Sequence, residues 1–547
     1  MNIQNNKEKE LTFRALFWGV IVGLILLALS IYLYAVVGMD INPAPVASML
    51  GIFLLPVIGG KVSKKEVNIM QTTASAVVCG SLAIPMIYIA AMYLGEEFNY
   101  IGIVIPLFLA DVIGICFVVF FRKQYIEDPA LSFPQSIIAK TAVDKVGQLT
   151  GRESRLLFVF VIIGFLLTFL QNKGVLPQIV DFTPKLPAGM TLGILIMPLM
   201  LGMGYMIGSK VCMIFMLTTL VGNLLYAPLG FRAGWFADPA VDYSGMQNFN
   251  IPMVIGITLM GSLIPIFKQR KAFLASFRFD RKAMSKESDQ ALLRIMAFVF
   301  AGASAALVIF CSLYYHVNVI LMYLFLLMGI LFSIIAVRVQ AESGLSATMP
   351  LSMLMLMVIY LATKQITVAM ILTFLMISVL FLAQNTMGDL KTGAIFGSSP
   401  RKQVWAQFAG VIPSVILGAL FCYLLIRAYG LDSAFFSYPL GKMYYAIGAG
   451  ISEGGMSSVF HLGRLGIGAV IGAALTFMGL PAGVVGLGLY LAPSSIMALG
   501  LGGAVRFVIE RVKGSETAER YNNAATGMII GDTLVTIITV FTTMSQL

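Results

Sequence analysis

From Arg14 to Val37 the chain runs through 24 residues whose only charge is the first. At about 1.5 Å rise per residue, a helix of that length crosses the roughly 30 Å hydrocarbon layer of a bilayer. A secretory signal has a shorter apolar core and a small-residue cleavage site, so this run reads as a retained helix. Comparable runs recur near 44–60, 67–94, 101–121, 155–173, 188–207, 209–228 and 251–267. A second series lies near 292–313, 316–338, 345–362, 366–385, 404–427, 464–479, 482–500 and 524–545. With 59% apolar and 11% charged residues in 547, a water-soluble globule is excluded. Lipid offers backbone groups no hydrogen bonds, so the expected fold class is an all-α polytopic membrane protein of about sixteen transmembrane helices. Several runs are short or interrupted, as at Asn42-Pro43-Ala44-Pro45 and Gly479-Leu480-Pro481.

Other chemistries find little support. The cysteines (Cys79, Cys116, Cys212, Cys311, Cys422) stand singly in apolar stretches without a CxxC pair, suggesting neither a disulfide framework nor a thiolate metal site. With His316 and His461 as the only histidines, no all-protein transition-metal site is expected. No GxxxxGK[ST] occurs, which excludes an ATP-driven pump on this chain; the stretch from Gly202 to Lys210 imitates it only superficially. HExxH is absent, and no catalytic dyad supports a membrane enzyme.

The net charge of +11 is topological rather than a nucleic-acid signal. With the N-terminus cytoplasmic, Lys61–Lys65 and Arg122–Lys123 fall inside and Glu96-Glu97 outside. The stretch 268–294 carries Lys268, Arg270, Lys271, Arg278, Arg281, Lys282, Lys286 and Arg294 against three acids. It falls inside only if 131–146 dips into the membrane and returns. The expected localisation is the cell membrane (cell inner membrane), multi-pass, with the N-terminus cytoplasmic.

An internal repeat organises the chain. Pro45-Val46-Ala47-Ser48-Met49 resembles Leu345-Ser346-Ala347-Thr348-Met349, offset by 300. Phe133-Pro134 and Tyr438-Pro439, offset by 305, each open a short segment after a span. Leu186-Pro187-Ala188-Gly189 returns as Leu480-Pro481-Ala482-Gly483, offset by 294. The expected organisation is an N-terminal repeat (1–267, re-entrant near 131–146), a basic cytoplasmic loop (268–294), a linking helix (295–315) and a C-terminal repeat (316–547, re-entrant near 436–451). The linking helix reverses parity, so the repeats are inverted. Inverted repeats are the signature of a secondary transporter working by alternating access, with its substrate site near broken helices.

Polar side chains inside spans are costly and mark function by default. Asn68, Gln71, Thr72 and Ser75 share one helix face and could hydrogen-bond a peptide-like backbone. Amides and hydroxyls there could equally hold helices together. A second cluster, from Gln384 and Asn385 to Asp389 and Lys391, lies at the inner end of a span. It could form a gate or contact substrate termini, or be an ordinary boundary turn. Lone acids are candidate proton carriers, or else satisfied structural or water-exposed acids: Asp532 and Asp111 within spans, Glu342 and Glu453 in Gly/Ser-rich breaks.

These motifs resemble, in order and over nearly the whole chain, the oligopeptide transporter family, which includes the yellow-stripe-like metal-chelate carriers. Glu10-Leu11-Thr12-Phe13-Arg14-Ala15 is similar to the family's opening, and Asn68-Ile69-Met70-Gln71-Thr72-Thr73-Ala74-Ser75-Ala76 to its Asn-Ile-x-Gln-Thr-x-x-Ser-Ala signature. Phe121-Arg122-Lys123-Gln124 leading to Phe133-Pro134 resembles its basic loop and Pro segment. Asn385-x-x-x-Asp389-Leu390-Lys391-Thr392-Gly393 followed by Ser399-Pro400-Arg401-Lys402-Gln403 is the most specific match. Gly488-Leu489-Tyr490-Leu491 and Thr526-Gly527-Met528-Ile529-Ile530-Gly531-Asp532 complete the series. Where the family often carries acids after the Pro and after Gly-Leu-Tyr-Leu, this chain reads Gln135-Ser136 and Ala492-Pro493-Ser494-Ser495. The resemblance implies proton-coupled uptake of small peptides or, alternatively, of metal–chelate complexes. It implies roles for Asn68, Gln71, Asp389, Lys391 and Asp532. It calls for no cofactor beyond the proton gradient, and the expected partners are the lipid bilayer and the substrate, with a homo-oligomer compatible.

Overall fold

The computed structural model describes residues 9–36, 43–59, 61–93, 95, 99–128, 131, 133, 135–137, 139–140, 151–268, 287–343, 346, 348–429, 438, 440–442, 444–445 and 461–544. Most of the expected re-entrant segments 131–146 and 436–451, most of the 268–294 loop, and Glu453 lie outside these residues.

Helices make up most of the described chain, and its strands are one antiparallel pair of three residues each, Ile179–Asp181 with Gly193–Leu195. Among the described residues nine helices are long and apolar enough to cross a membrane, and five shorter apolar helices accompany them. The molecule is thus an all-α, multi-pass membrane protein. Four expected spans differ in detail. The run 67–94 is two helices, Lys64–Cys79 and Ile84–Tyr93, joined by a turn at Gly80. The run 188–207 becomes helical only at Pro198, because the second strand occupies 193–195. The run 482–500 breaks into Ala482–Tyr490 and Pro493–Lys513, the second opening on a proline, which needs no intrahelical donor there. The helix expected over 366–385 continues to Phe396, ending on Gly397 with φ 65°.

The chain divides into two compact units, each drawing on both halves of the sequence. The first comprises Met1–Tyr34, Asp40–Gln148 and Ile266–Leu431. Its centre is the helices Lys64–Cys79 and Ile366–Phe396, buried along almost their full length. Tyr100–Glu127 packs on Ile366–Phe396, and Pro400–Tyr429 packs on Lys64–Cys79. Pro43–Leu54 lies against the latter helix and Thr348–Thr363 against Ile366–Phe396. Small residues set these approaches: a Cβ on Gly410 would overlap the Thr73 carbonyl, and one on Gly114 the Val379 carbonyl. Phe133, immediately before Pro134, has φ 47° and donates its N–H to the Ala341 carbonyl at 2.8 Å.

The second unit comprises Ala35–Met39, Leu149–Pro265 and Asp432–Leu547. Gly151–Asn172 crosses Asn522–Met544 closely, with Gly164, Gly527 and Gly531 each meeting the opposing backbone. Tyr243–Lys268 meets Leu462–Phe477 in the same manner through Gly256, Gly468 and Gly472. Pro493–Lys513 packs on Pro198–Ile207 and Ser209–Val221. Tyr438, immediately before Pro439, has φ 43° and donates its N–H to the Ala35 carbonyl at 2.8 Å.

Candidate functional site

Ser63 caps the Lys64–Cys79 helix by accepting the Glu66 N–H at 3.1 Å. The helix that follows is polar yet sealed: Glu66, Asn68, Gln71, Thr72, Thr73 and Ser75 are all 0% exposed. Such groups are retained in a core only when other elements answer them. Two helices do. Asn385 and Asp389 lie one turn apart on Ile366–Phe396, and Gln403 and Gln407 one turn apart on Pro400–Tyr429.

Asp389 is the meeting point. Gln71 Nε2 donates to its Oδ1 at 2.5 Å, while Gln407 Nε2 and Asn385 Nδ2 donate to its Oδ2 at 2.6 and 3.2 Å. Gln403 Nε2 donates to its backbone carbonyl at 2.7 Å. Ser75 Oγ donates to Asn385 Oδ1 at 2.8 Å, and Asn68 Nδ2 reaches Ser398 Oγ at 3.4 Å. The carboxylate makes no ion pair among the described residues. The far oxygens of Gln71, Gln403 and Gln407, the Asn68 Oδ1 and the Thr72 hydroxyl are buried without a hydrogen-bond partner among the described residues.

Other expected site residues fall elsewhere. Lys391 turns away from Asp389: its Nζ donates to the Ile126 carbonyl at 2.7 Å and lies 5.2 Å from the centre of the Phe133 ring. Gln384 accepts from Ser346 Oγ at 2.7 Å. The boundary-turn reading of 384–393 is overturned, since this stretch lies inside a continuous 31-residue helix. Asp111 is fully buried in the first unit and accepts from Ser378 Oγ. Asp532, 1% exposed in the second unit, accepts from Thr168 Oγ1. Glu342 lies near the end of the Val319–Ser343 helix.

Sequence reasoning missed Gln407 and the answering hydroxyls of Ser378 and Thr168. A pair of amides four residues apart at the head of an apolar helix was the available signal for Gln403 and Gln407. It also missed the clamp above the site. Arg14 donates from Nε and Nη2 to the two oxygens of buried Glu66, both at 2.6 Å, and Thr12 Oγ1 adds a 2.5 Å bond. Glu10 accepts the Ser399 N–H at 3.1 Å and faces Lys402 Nζ at 3.4 Å. Residues 10–14 thereby tie the openings of the Lys64–Cys79 and Pro400–Tyr429 helices.

Gly393 shapes the cluster as well, because a Cβ there would overlap the Gln403 carboxamide. Gly393→Ala is expected to displace Gln403 and destabilise the protein by about 1–3 kcal/mol. The measurement is a thermal unfolding midpoint in detergent; an unchanged midpoint would show that Gln403 has another place to go.

Comparison with known proteins agrees with this architecture. The family model for oligopeptide transporter proteins matches residues 10–543. A Haemophilus influenzae protein provisionally named an oligopeptide transporter is 26% identical over 239 residues, which is 39% of this chain and 36% of that protein. The Saccharomyces cerevisiae protein YGL114W, provisionally named likewise, is 27% identical over 177 residues, 28% of this chain and 24% of its own length. These matched stretches span about a third and a quarter of the two relatives. The family match, by contrast, runs from before the first described helix to the last turn of the final one, taking in both units and the Asp389 cluster. The chain therefore belongs to the oligopeptide transporter family.

Proposed function

We propose that this protein is a secondary transporter that takes up small peptides together with protons by alternating access. The observation that carries the reading is the buried Asp389 cluster, a polar site built from three helices where a purely structural core would be apolar. In this reading the substrate backbone meets Asn68, Gln71, Thr72 and Ser75 on one side and the Gln384, Asn385, Asp389 and Lys391 stretch on the other. Asp532 and Asp111 carry protons, each being buried, bonded to a hydroxyl and without an ion pair among the described residues. Glu342 and Glu453 remain in the set of carriers.

Inverted repeats supply the two states, and the packing supports them. The pairing of Ile366–Phe396 with Tyr100–Glu127 has its counterpart in that of Lys64–Cys79 with Pro400–Tyr429. The two pre-proline residues, 305 apart in sequence, are tied to carbonyls 306 apart, Phe133 to Ala341 and Tyr438 to Ala35. Each glycine seam of the second unit joins one helix from each half of the chain. The N-terminus is cytoplasmic in this scheme, in the cell membrane. The test is uptake of labelled di- to tetrapeptides by proteoliposomes with an acidic exterior, run beside iron and nickel chelates. Peptide accumulation above the level without a gradient is expected. Chelate accumulation with no peptide uptake would replace the peptide reading with the metal–chelate one.

A further inference from the structure

The Asp389 cluster holds a carboxylate that is 3% exposed, and its side-chain donors are all neutral amides. Nearby charged groups are engaged elsewhere. On the Lys64–Cys79 helix, Glu66 binds Arg14 and Lys65 faces Glu10. On the Pro400–Tyr429 helix Lys402 faces Glu10, and on Asp389's own helix Lys391 binds the Ile126 carbonyl. Asp111, on the helix packed alongside, binds Ser378. Lys64, Arg401, Arg122, Lys123, Glu127 and Arg338 on the surrounding helices make no ion pair with Asp389 among the described residues.

The amides have an unusual weakness. Gln71 and Gln407 each spend their nitrogen on the Asp389 carboxylate, and each leaves its oxygen buried with no donor among the described residues. Their orientation is therefore fixed by the carboxylate's charge alone. A half-turn about the terminal torsion exchanges N–H for C=O at nearly constant shape. Turned inward, the carbonyls of Gln71 and Gln407 join the carboxylate as an oxygen cage. One carboxylate with neutral oxygens suits a small hard monovalent cation rather than a divalent one, which takes more charged ligands.

We propose that Asp389, Gln71 and Gln407 form a binding site for one atom-sized monovalent cation, a sodium ion or a proton, whose arrival turns the two amides. Sodium is close in radius to calcium, whose oxygen ligands sit at about 2.3–2.6 Å from the ion, so the two amides, now 2.5 and 2.6 Å from the carboxylate oxygens, move back from them as they turn to make room for it. A proton instead places an O–H on Asp389 that donates to one of the turned carbonyls. In either form the bonds joining three helices of the first unit change when the cation binds. The use of this site as a coupling site rests on the transport reading, but the site itself does not.

The experiment is therefore made on purified full-length protein without transport. Unfolding midpoints are measured across sodium concentration, with choline keeping ionic strength constant, and separately across pH in sodium-free choline buffer. A ligand that binds only the folded state raises the midpoint with its concentration. The wild type is expected to be stabilised by several degrees by sodium or, failing that, by acidification. Asp389→Asn loses that response, while Asp181→Asn, on the exposed strand of the second unit, retains it. Gln407→Leu keeps the carboxylate and removes one ligand, and is expected to need about tenfold more of the same cation; it serves as the test if Asp389→Asn does not fold. A sodium response lost in Asp389→Asn identifies sodium, and an acid response lost in it identifies the proton. A wild type stabilised by neither, or variants with the wild-type response, overturns the site. Failure of peptide uptake would leave these midpoints unaffected.

Discussion

Arg14→Ala is expected to destabilise the protein by about 3–5 kcal/mol, the usual loss when one member of a buried ion pair is removed. Glu66 is 0% exposed, and the guanidinium meets both of its oxygens as a fork, the geometry in which arginine binds a carboxylate most firmly. Without it, the carboxylate keeps Thr12 as its side-chain donor, in a place water does not reach. Arg14 also donates to the carbonyls of Gly59 and Lys61, so the turn ahead of the Lys64–Cys79 helix loses its anchor at the same time. Arg14→Lys is expected to recover only part of the loss, since an ammonium cannot bridge both oxygens and both carbonyls. The check is the unfolding midpoint in detergent together with the yield of monodisperse protein. An Arg14→Ala protein that melts with the wild type would mean that the clamp contributes nothing.

The clamp also shows what a sequence can and cannot declare. Residues 10–15 were readable as a motif, but their partners lie 52 to 54 residues away at Glu66 and 389 away at Ser399. No local spacing announces such a contact. The Asp389 cluster was half legible for the same reason. Asn68, Gln71, Thr72 and Ser75 share a face by helical periodicity, and Asn385 and Asp389 by another, so each half was visible alone. Their meeting, across 318 residues between Gln71 and Asp389, depends on packing. Gln407 went unseen because amides four residues apart at the head of an apolar helix, Gln403 and Gln407, have no assigned meaning until the carboxylate they serve is known. The polar run 384–393 was open to reading as a boundary turn. It is the continuation of a helix, because side chains and carbonyls of other helices answer its polar groups. The strands at 179–181 and 193–195 are three residues each, too short for any alternation to appear. The membrane class, by contrast, was legible at once, since apolar runs of that length have few other uses.

Asp532→Asn is the change expected to alter function most while altering structure least. Asp532 accepts a hydrogen bond from Thr168 across the seam between Asn522–Met544 and Gly151–Asn172. An asparagine oxygen can accept the same bond at nearly the same volume, and the neighbouring contact at Gly531 is untouched. The carboxamide cannot take up and release a proton. If Asp532 carries the proton of a symport cycle, the variant should bind and exchange peptide across the membrane but fail to concentrate it. Accumulation should fall to the level of wild-type proteoliposomes whose proton gradient has been collapsed, and exchange of internal for external peptide should persist. Thr168→Ala leaves the carboxylate and removes its donor, so accumulation should persist with a shifted dependence on external pH. The pair of variants separates a proton carrier from a helix tie: a tie would lose folding stability in both and show no selective loss of accumulation in either. Wild-type accumulation by Asp532→Asn would remove the residue from the proton path and leave Asp111, Asp389 and Glu342 as the described candidates to carry it.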